Sequence, residues 1–192
     1  HKEFFGLDFY VDKSVLIPRP ETELIVELAL DRISNQKSQI KNILDLGTGS
    51  GCIIVAIATK LKSKNLNLKF YATDISTKTL KIARKNAQRH KAKIKFINSD
   101  LFKNISADPK FDLIIANLPY LWKNFPQFEP KTALYGGKDG LEIIEKFLQQ
   151  TNFYLAKNGI ILIEIDPRQR NKIKKLAKKY LPNKKLTIKK DL

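Results

Sequence analysis

Asn42-Ile43-Leu44-Asp45-Leu46-Gly47-Thr48-Gly49-Ser50-Gly51-Cys52 is the stretch on which the fold turns. Residues 42–46 form a short run with apolar side chains at Ile43, Leu44 and Leu46, the length of one buried strand. Glycines 47, 49 and 51 then remove side chains where the backbone must turn sharply, and residues 52–61 read as a buried helix. Such a helix points its free amino-terminal N–H groups into the turn, where a ligand could approach the main chain. A tight turn needing positive φ would use the same glycines, so the loop alone names no ligand.

The same alternation continues outward from this stretch. Residues 68–73 read as a second strand, and 76–89 as a helix opening on a Ser76 cap with apolar spacing at Leu80, Ala83 and Ala87. Residues 93–97 and 111–116 read as the third and fourth strands. Residues 139–155 read as an amphipathic helix carrying Leu141, Ile144, Phe147 and Leu148 on one face. Asn158-Gly159 reads as a turn into a fifth strand at 160–165, followed by a basic helix at 167–180 and a sixth strand at 184–189. Ahead of the glycine loop, residues 21–33 read as an additional helix preceded by a hairpin around 4–11. Strands apolar on both faces, alternating with helices, predict an α/β, three-layer, Rossmann-like fold: a mostly parallel sheet with helices on both faces. The expected division is a hairpin and helix over 1–34 and a catalytic domain over 35–192.

Composition sets outer bounds. A chain of 192 residues, 43% of them hydrophobic, can bury a full core and is no disordered tail. No apolar run approaches the ~18–20 residues of a membrane helix, and nothing resembles a signal peptide. The single cysteine, Cys52, has no partner for a disulfide and no companions for a metal site, which fits a reducing cytoplasm. The chain opens on His1 rather than Met and ends on Lys189-Lys190-Asp191-Leu192, which reads as a piece of a longer protein. Its net charge is +17, from 36 basic and 19 acidic residues. Two readings of that charge stand: contact with RNA or the ribosome, or lysine spread over solvated faces.

Ligands of such sheets bind at the carboxyl ends of the strands, near the point where strand order reverses. The glycine loop, Asp74, Asp100 and Asn117 all fall at expected strand ends. Asp74, 27 positions after Gly47 (74 − 47), could accept both hydroxyls of a ribose, or cap the next helix, although Ser76 is better placed for that. Asp100 could accept the amino group of an adenine with Leu101 or Phe102 against the ring, or be a solvated loop residue. Asp45 could hold the amino group of a methionine, directly or through water. The set suits S-adenosylmethionine. A nicotinamide dinucleotide would fit the same half, but the loop is Gly-x-Gly-x-Gly after an acid rather than Gly-x-Gly-x-x-Gly.

Asn117-Leu118-Pro119-Tyr120 follows the apolar run Leu113-Ile114-Ile115-Ala116. A carboxamide and a main-chain carbonyl beside an aromatic ring suit a planar group bearing an NH2: each N–H finds an acceptor and the ring covers the flat face. Acceptors on both N–H bonds would steer the nitrogen toward a tetrahedral shape and stabilise the charge that builds on it during alkylation. The tetrapeptide also fits a proline turn after a strand. It serves glutamine amides, adenine N6 and guanine N2 alike, so by itself it names no substrate.

The flanking sequence resembles one family. Leu16-Ile17-Pro18-Arg19-Pro20-Glu21-Thr22-Glu23, with Phe5-Gly6-Leu7-Asp8-Phe9 before it, is similar to the leading segment of the HemK-type N5-glutamine methyltransferases. The resemblance runs on through Asp45 to Gly51, Asp74, Asp100, Glu129-Pro130, Ala133-Leu134 and Gly136-Gly137-Lys138-Asp139-Gly140-Leu141, to Lys190-Asp191-Leu192. It implies a class I methyltransferase fold using S-adenosylmethionine. The implied substrate is the glutamine of the Gly-Gly-Gln motif in peptide-chain release factors, modified in the cytoplasm. It implies that Gly47, Thr48, Gly49, Ser50, Gly51, Asp74 and Leu101 line the cofactor site and that Asn117 touches both cofactor and glutamine. Leu118, Pro119 and Tyr120 would complete the glutamine pocket, with Arg19 and Glu21 near its mouth. Read physically, Pro18 and Pro20 stiffen the approach to a helix whose first turn suits acids.

Three departures stand out. Leu118 replaces the family's usual first proline, the form common in ribosomal-RNA adenine dimethyltransferases; residues 121–128 are shorter than usual; and the family's amino-terminal helical domain and last strand are expected outside this sequence. An adenine-N6 methyltransferase acting on RNA or DNA, and a non-catalytic RNA- or ribosome-binding module, are the competing readings.

Overall fold

The computed structural model describes residues 1–35, 40–64 and 66–190. A hairpin of β1 (Lys2–Phe4) and β2 (Leu7–Phe9) turns at Phe5-Gly6, both at positive φ, which matches the twist of a two-residue connection. The predicted hairpin at 4–11 therefore sits a few residues earlier. The helix read from residue 21 opens as a 3-10 turn at Pro20–Thr22 before α1 (Glu23–Asn35). Then come β3 (Asn42–Leu46), α2 (Cys52–Leu61), β4 (Lys69–Asp74), α3 (Thr77–Arg89), β5 (Ile94–Asn98) and β6 (Phe111–Ala116). The described chain closes with α4 (Glu142–Tyr154), β7 (Leu155–Ile163) and α5 (Arg170–Tyr180).

Five strands pair in the order β5-β4-β3-β6-β7, every neighbour parallel. The chain builds outward from β3 to β5, then crosses back to lay β6 on the other side of β3. Strand order reverses between β3 and β6, so the loops leaving them diverge and open a crevice. Alternate residues face opposite layers. Ile43, Leu113 and Ile115 pack with the hairpin, α1 and α2, whereas Leu44, Leu46, Ile114 and Ala116 pack with α4 and α5. This is the expected three-layer α/β architecture.

Three expectations need correction. The helix read from 139 starts at Glu142, because Gly140 takes φ +74° and the residues before it serve a loop. Asn158-Gly159 is no turn ahead of a strand at 160–165 but lies inside the single strand β7. There the register passes from Phe111↔Leu155 to Leu113↔Ile160, and the surplus residues bulge. No strand forms at 184–189: Lys184 Nζ instead donates to the carbonyls of Lys157 and Gly159 at the bulge, and Leu186 stays 46% exposed. The last residues of the closing segment, 191–192, lie outside the described residues.

Candidate functional site

A cavity of about 840 Å³ opens at the carboxyl ends of β3, β4 and β6. Its floor is the glycine loop. Gly47 and Thr48 both donate their N–H to Thr73 O, at 2.9 and 2.8 Å, which ties the loop to β4. Gly49 takes φ +57° with nothing within 4 Å of where a Cβ would stand, so its wall faces open space. Gly51, predicted to line the site, instead packs on α3: a Cβ there would sit 3.2 Å from Ala83 Cβ. From α3, the buried Asn86 donates to Ser50 O at 2.8 Å and exchanges hydrogen bonds with Tyr10, clipping loop and hairpin together.

The expected carboxylates divide. Asp74 lines the cavity, its Oδ2 accepting from Gly49 N–H at 3.1 Å and its Oδ1 from Ser76 N–H at 2.9 Å; burial raises its pKa. Ser76 caps α3 by accepting from Thr79 N–H at 3.2 Å, as read from the sequence. Asp45 is fully buried beneath the loop and does not reach the cavity wall. Its Oδ2 accepts from the Thr48 hydroxyl at 2.6 Å, while Oδ1 has no partner among the described residues. Burial pushes its pKa up to about 7; the Thr48 bond pulls against that, and the charge of Asp74 adds to it. Asp100 is an exposed residue on the cavity rim. Of its two neighbours, Leu101 lines the cavity at φ +48°, whereas Phe102 is buried in the core, stacked 4.4 Å from Tyr154.

A second cavity of about 110 Å³ adjoins the first and shares with it Leu16, Arg19, Asn117, Leu118 and Ala133. Tyr120 and Glu21 line only this smaller cavity, and Pro119 only the larger one. Asn117 Nδ2 donates to Thr22 Oγ1 at 3.3 Å, so the carboxamide oxygen is the atom left to accept. Tyr120 donates its hydroxyl to Glu164 Oε1 at 3.1 Å. Burial, and then the Glu164 charge, raise the phenol's pKa. Leu118 turns its side chain into the core, and a Cβ on Gly47 would come within 3.0 Å of its Cδ2. Leucine here wedges the 117–120 segment against the glycine loop.

Long-range contacts hold these residues. Glu129, with a nearly buried side chain, accepts from Arg19 at 2.5 Å and from Ile17 N–H at 2.8 Å, fixing the 16–19 segment as the wall of both cavities. A Cβ on Gly136 would collide with Pro119 O, and one on Gly140 with Tyr120 O. The glycines thus let 136–140 lie directly on the backbone of 119–120. Gln169 Nε2 donates to Tyr120 O at 2.9 Å and to Asp139 O at 3.2 Å, closing the clamp. Thr22, Asn86, Gln169 and Glu164 escaped the sequence reading as site residues. Only Glu164 carried a local signal, an acid inside the apolar run Ile163-Glu164-Ile165.

Residues 37–190 match the family described as a methyltransferase domain. A release factor glutamine methyltransferase of Borreliella burgdorferi is 43% identical over 185 residues, covering 92% of this chain and 62% of its own length. One from Rhodopirellula baltica is 37% identical over 204 residues, covering 100% of this chain and 68% of its own. The chain spans about 60 to 68% of the length of the curated relatives it matches. Among solved structures, a methyltransferase from Pyrococcus furiosus superposes with a TM-score of 0.63 at 23% identity, over 91% of this chain and 78% of that one.

Proposed function

The chain belongs to the release factor glutamine methyltransferase family, and from that premise we propose that it methylates the side-chain amide nitrogen of the glutamine in the Gly-Gly-Gln motif of peptide-chain release factors, using S-adenosylmethionine. One observation carries the reading: Asn117 and Leu118 line both a large cavity floored by a glycine loop and a small one beside an aromatic ring.

The residues fit S-adenosylmethionine. The larger cavity lies within the ~300–1,000 Å³ usual for small-molecule sites, at the amino terminus of α2, where Gly51 supplies no side-chain cap. Asp74 stands beside Gly49 to take ribose hydroxyls, with Asp100 and Leu101 at the adenine end. Asp45 keeps an unpartnered buried oxygen under the loop, where an ammonium group could be drawn. When bound, the cofactor supplies a methyl group on a sulfonium, an electrophile for a nitrogen lone pair.

This chain's residues supply position and field. The Asn117 amide oxygen and the Leu118 carbonyl accept the two N–H bonds of the substrate amide. That pulls the lone pair out of conjugation and stabilises the positive charge growing on nitrogen. Tyr120 and Pro119 hold the amide plane. Leu16, Leu118, Leu121 and Leu134 give the small cavity an apolar lining. No strong base is needed, since the alkylated nitrogen is acidic and sheds its proton readily.

The relatives' names favour this substrate over adenine N6 and over a non-catalytic RNA-binding role. No helix of the described residues is long and apolar enough to cross a membrane, in keeping with the proposed cytoplasmic site of action. The +17 charge supports the further proposal that the basic surface touches RNA or the ribosome near the release factor. The test is methyl transfer from labelled S-adenosylmethionine to a release factor, its Gln→Ala variant and total RNA. Label on the intact release factor alone is expected. Label on RNA alone would overturn the reading and make Leu118 the mark of a different substrate.

A further inference from the structure

α5 is the most basic helix of the chain, and half of its charge has no use inside the fold. Residues 167–190 carry eleven Lys and Arg and no acid. The apolar face of α5 is already covered: Ile173 is buried in the core, with Leu176 and Tyr180 packed against it. On the flank toward α4, Lys172 pairs with Asp139 at 3.0 Å and Lys179 with Glu145 at 3.6 Å. The remaining face holds Arg170, Lys174, Lys175 and Lys178. All four are exposed, and none is in an ion pair among the described residues.

Arg170, Lys174 and Lys178 recur every fourth residue, so they stand in one row with steps of about 6 Å along the helix axis. Like charges at that spacing destabilise the helix that carries them. The row therefore weakens the fold instead of supporting it. The other basic helix, α3, is different. Its Arg84 lies over the Phe96 ring and donates to Phe96 O, its Lys85 lies over the Tyr10 ring, and its Arg89 pairs with Asp8. Most of the positive charge of α3 is engaged by its neighbours; that of the α5 row is not.

The row also has a definite place. Gln169, one residue before α5, donates to Tyr120 O, and Arg168 lies over the Trp122 ring at 4.4 Å. Past the other end of the helix, Lys184 reaches the carbonyls of Lys157 and Gly159 in the first half of β7. The row thus starts beside the acceptor wall and runs toward the opposite end of the sheet.

The chemistry of this face selects its partner. A protein interface centres on apolar and aromatic anchors and is poor in lysine, and this face has no apolar side chain. A membrane surface would need the apolar face of α5, which the core has taken. A chain of phosphates needs only a line of cations in water, and mobile lysine ammonium groups suit it. We propose that the Arg170, Lys174 and Lys178 row binds the phosphodiester backbone of a nucleic acid without reading its sequence. The inference rests on the reading of the basic surface given above and gives that surface a place; it does not depend on the glutamine reading.

The experiment titrates the 192-residue chain into a labelled single-stranded RNA of about 20 nucleotides, and into DNA of the same length, between about 50 and 200 mM salt. Three chains are compared by fluorescence anisotropy: wild type, Arg170→Gln/Lys174→Gln/Lys178→Gln, and Lys78→Gln/Lys81→Gln/Lys93→Gln, which removes equal charge around α3. Wild type should show a slope of log K on log salt of about −2 to −3, as for three to four phosphates. The α5 variant should bind at least about tenfold more weakly and flatten that slope by about 2, whereas the α3 variant should keep both. The α5 variant should melt no lower than wild type, since like charges are relieved. If it folds poorly, Lys174→Gln and Lys178→Gln decide the matter singly, each flattening the slope by about 0.7. Whichever of RNA and DNA binds more tightly names the source of the phosphates.

Equal losses in the two triple variants would mean that net charge alone binds, and would overturn the assignment to α5. A wild-type chain that binds neither nucleic acid would bring down the reading of the basic surface as well. All three chains should methylate a free release factor alike, because none of the substituted residues lines either cavity. Transfer lost in the α5 variant with nucleic-acid binding intact would make the row a docking face for the protein substrate, which also overturns the proposal. A wild-type chain that binds nucleic acid but leaves the release factor unlabelled would bring down the glutamine reading and leave this inference standing.

Discussion

The two walls of the candidate site are made in opposite ways. The glycine-loop wall comes from one stretch of chain: Asp45 bonds Thr48, Thr48 bonds Gly51, and Asp74 reaches Gly49 across a single neighbouring strand. The wall around Asn117 is assembled from afar. Thr22 reaches Asn117 over 95 positions, Glu129 reaches Arg19 over 110, and Gln169 reaches Tyr120 over 49. A loop that binds a constant group can be specified locally, because its geometry is main-chain turns and a helix terminus. A pocket that must read one acceptor needs side chains aimed from several directions, and only tertiary structure can aim them.

The largest effect expected of this contrast is at Asn117. Asn117→Ala should lower methyl transfer by about 10²–10³-fold, to the assay background. S-adenosylmethionine affinity should fall far less, by about tenfold, since Asn117 lines the larger cavity but the glycine loop is built without it. Steady-state transfer and calorimetric titration on the same samples give both numbers. Transfer that survives the substitution would remove Asn117 from the proposed acceptor role, and a parallel loss of cofactor affinity would show that the two walls are not separable.

The next effect compares a glycine from each wall. Gly140 holds φ +74°, and an added Cβ would strike the Tyr120 carbonyl, which the Gln169 amide already holds in place. Gly140→Ala should cost about 3 kcal/mol, the sum of left-handed strain and overpacking against backbone that cannot yield. Gly49 also has positive φ, but a Cβ there meets open space. Gly49→Ala should therefore cost only about 1 kcal/mol of stability and act mainly on cofactor affinity. Denaturant midpoints read both. Equal losses would mean that the clamp of 136–140 on 119–120 is no tighter than an ordinary turn.

This asymmetry also explains what could be read from the chain before its structure. The strand, loop and helix over 42–61 have the boundaries expected, because apolar period, glycines and helix start lie within one window. The Ser76 cap was legible for the same reason. The start of α4 was not: Leu141 fits the helical period, yet Gly140 takes a left-handed conformation to let the chain lie on Tyr120. A strand at 184–189 was expected from its local pattern, but a strand exists only where a neighbour offers a ladder, and Lys184 is engaged with the β7 bulge instead. Asn117 and Tyr120 could be nominated from sequence. Thr22 and Gln169, which hold them, could not, since nothing near them in the chain announces a partner so far away.

The smallest effect concerns Asp45, whose carboxyl is pushed up by burial to about 7 from an ordinary value of 3.8. From about pH 4 to about pH 7 the folded state keeps a proton that the unfolded chain gives up. Stability from this group therefore declines as pH rises through that window and levels off above it. Asp45→Asn removes the cost of burying the charge, so the ligand-free variant should be more stable than wild type by about 1–2 kcal/mol at pH 8, with no advantage below pH 4. Cofactor binding should move the other way. If the ionised carboxylate draws the methionine ammonium, wild-type affinity rises with pH up to about 7 and then flattens, whereas Asp45→Asn binds weakly with no such rise. Thermal melts and titrations across pH 5–8.5 test both halves. The same rise in affinity in Asp45→Asn would move the titrating group from Asp45 to Asp74, the other carboxylate of this wall, and place the cofactor's charge partner on the neighbouring strand rather than in the loop's own stretch of sequence.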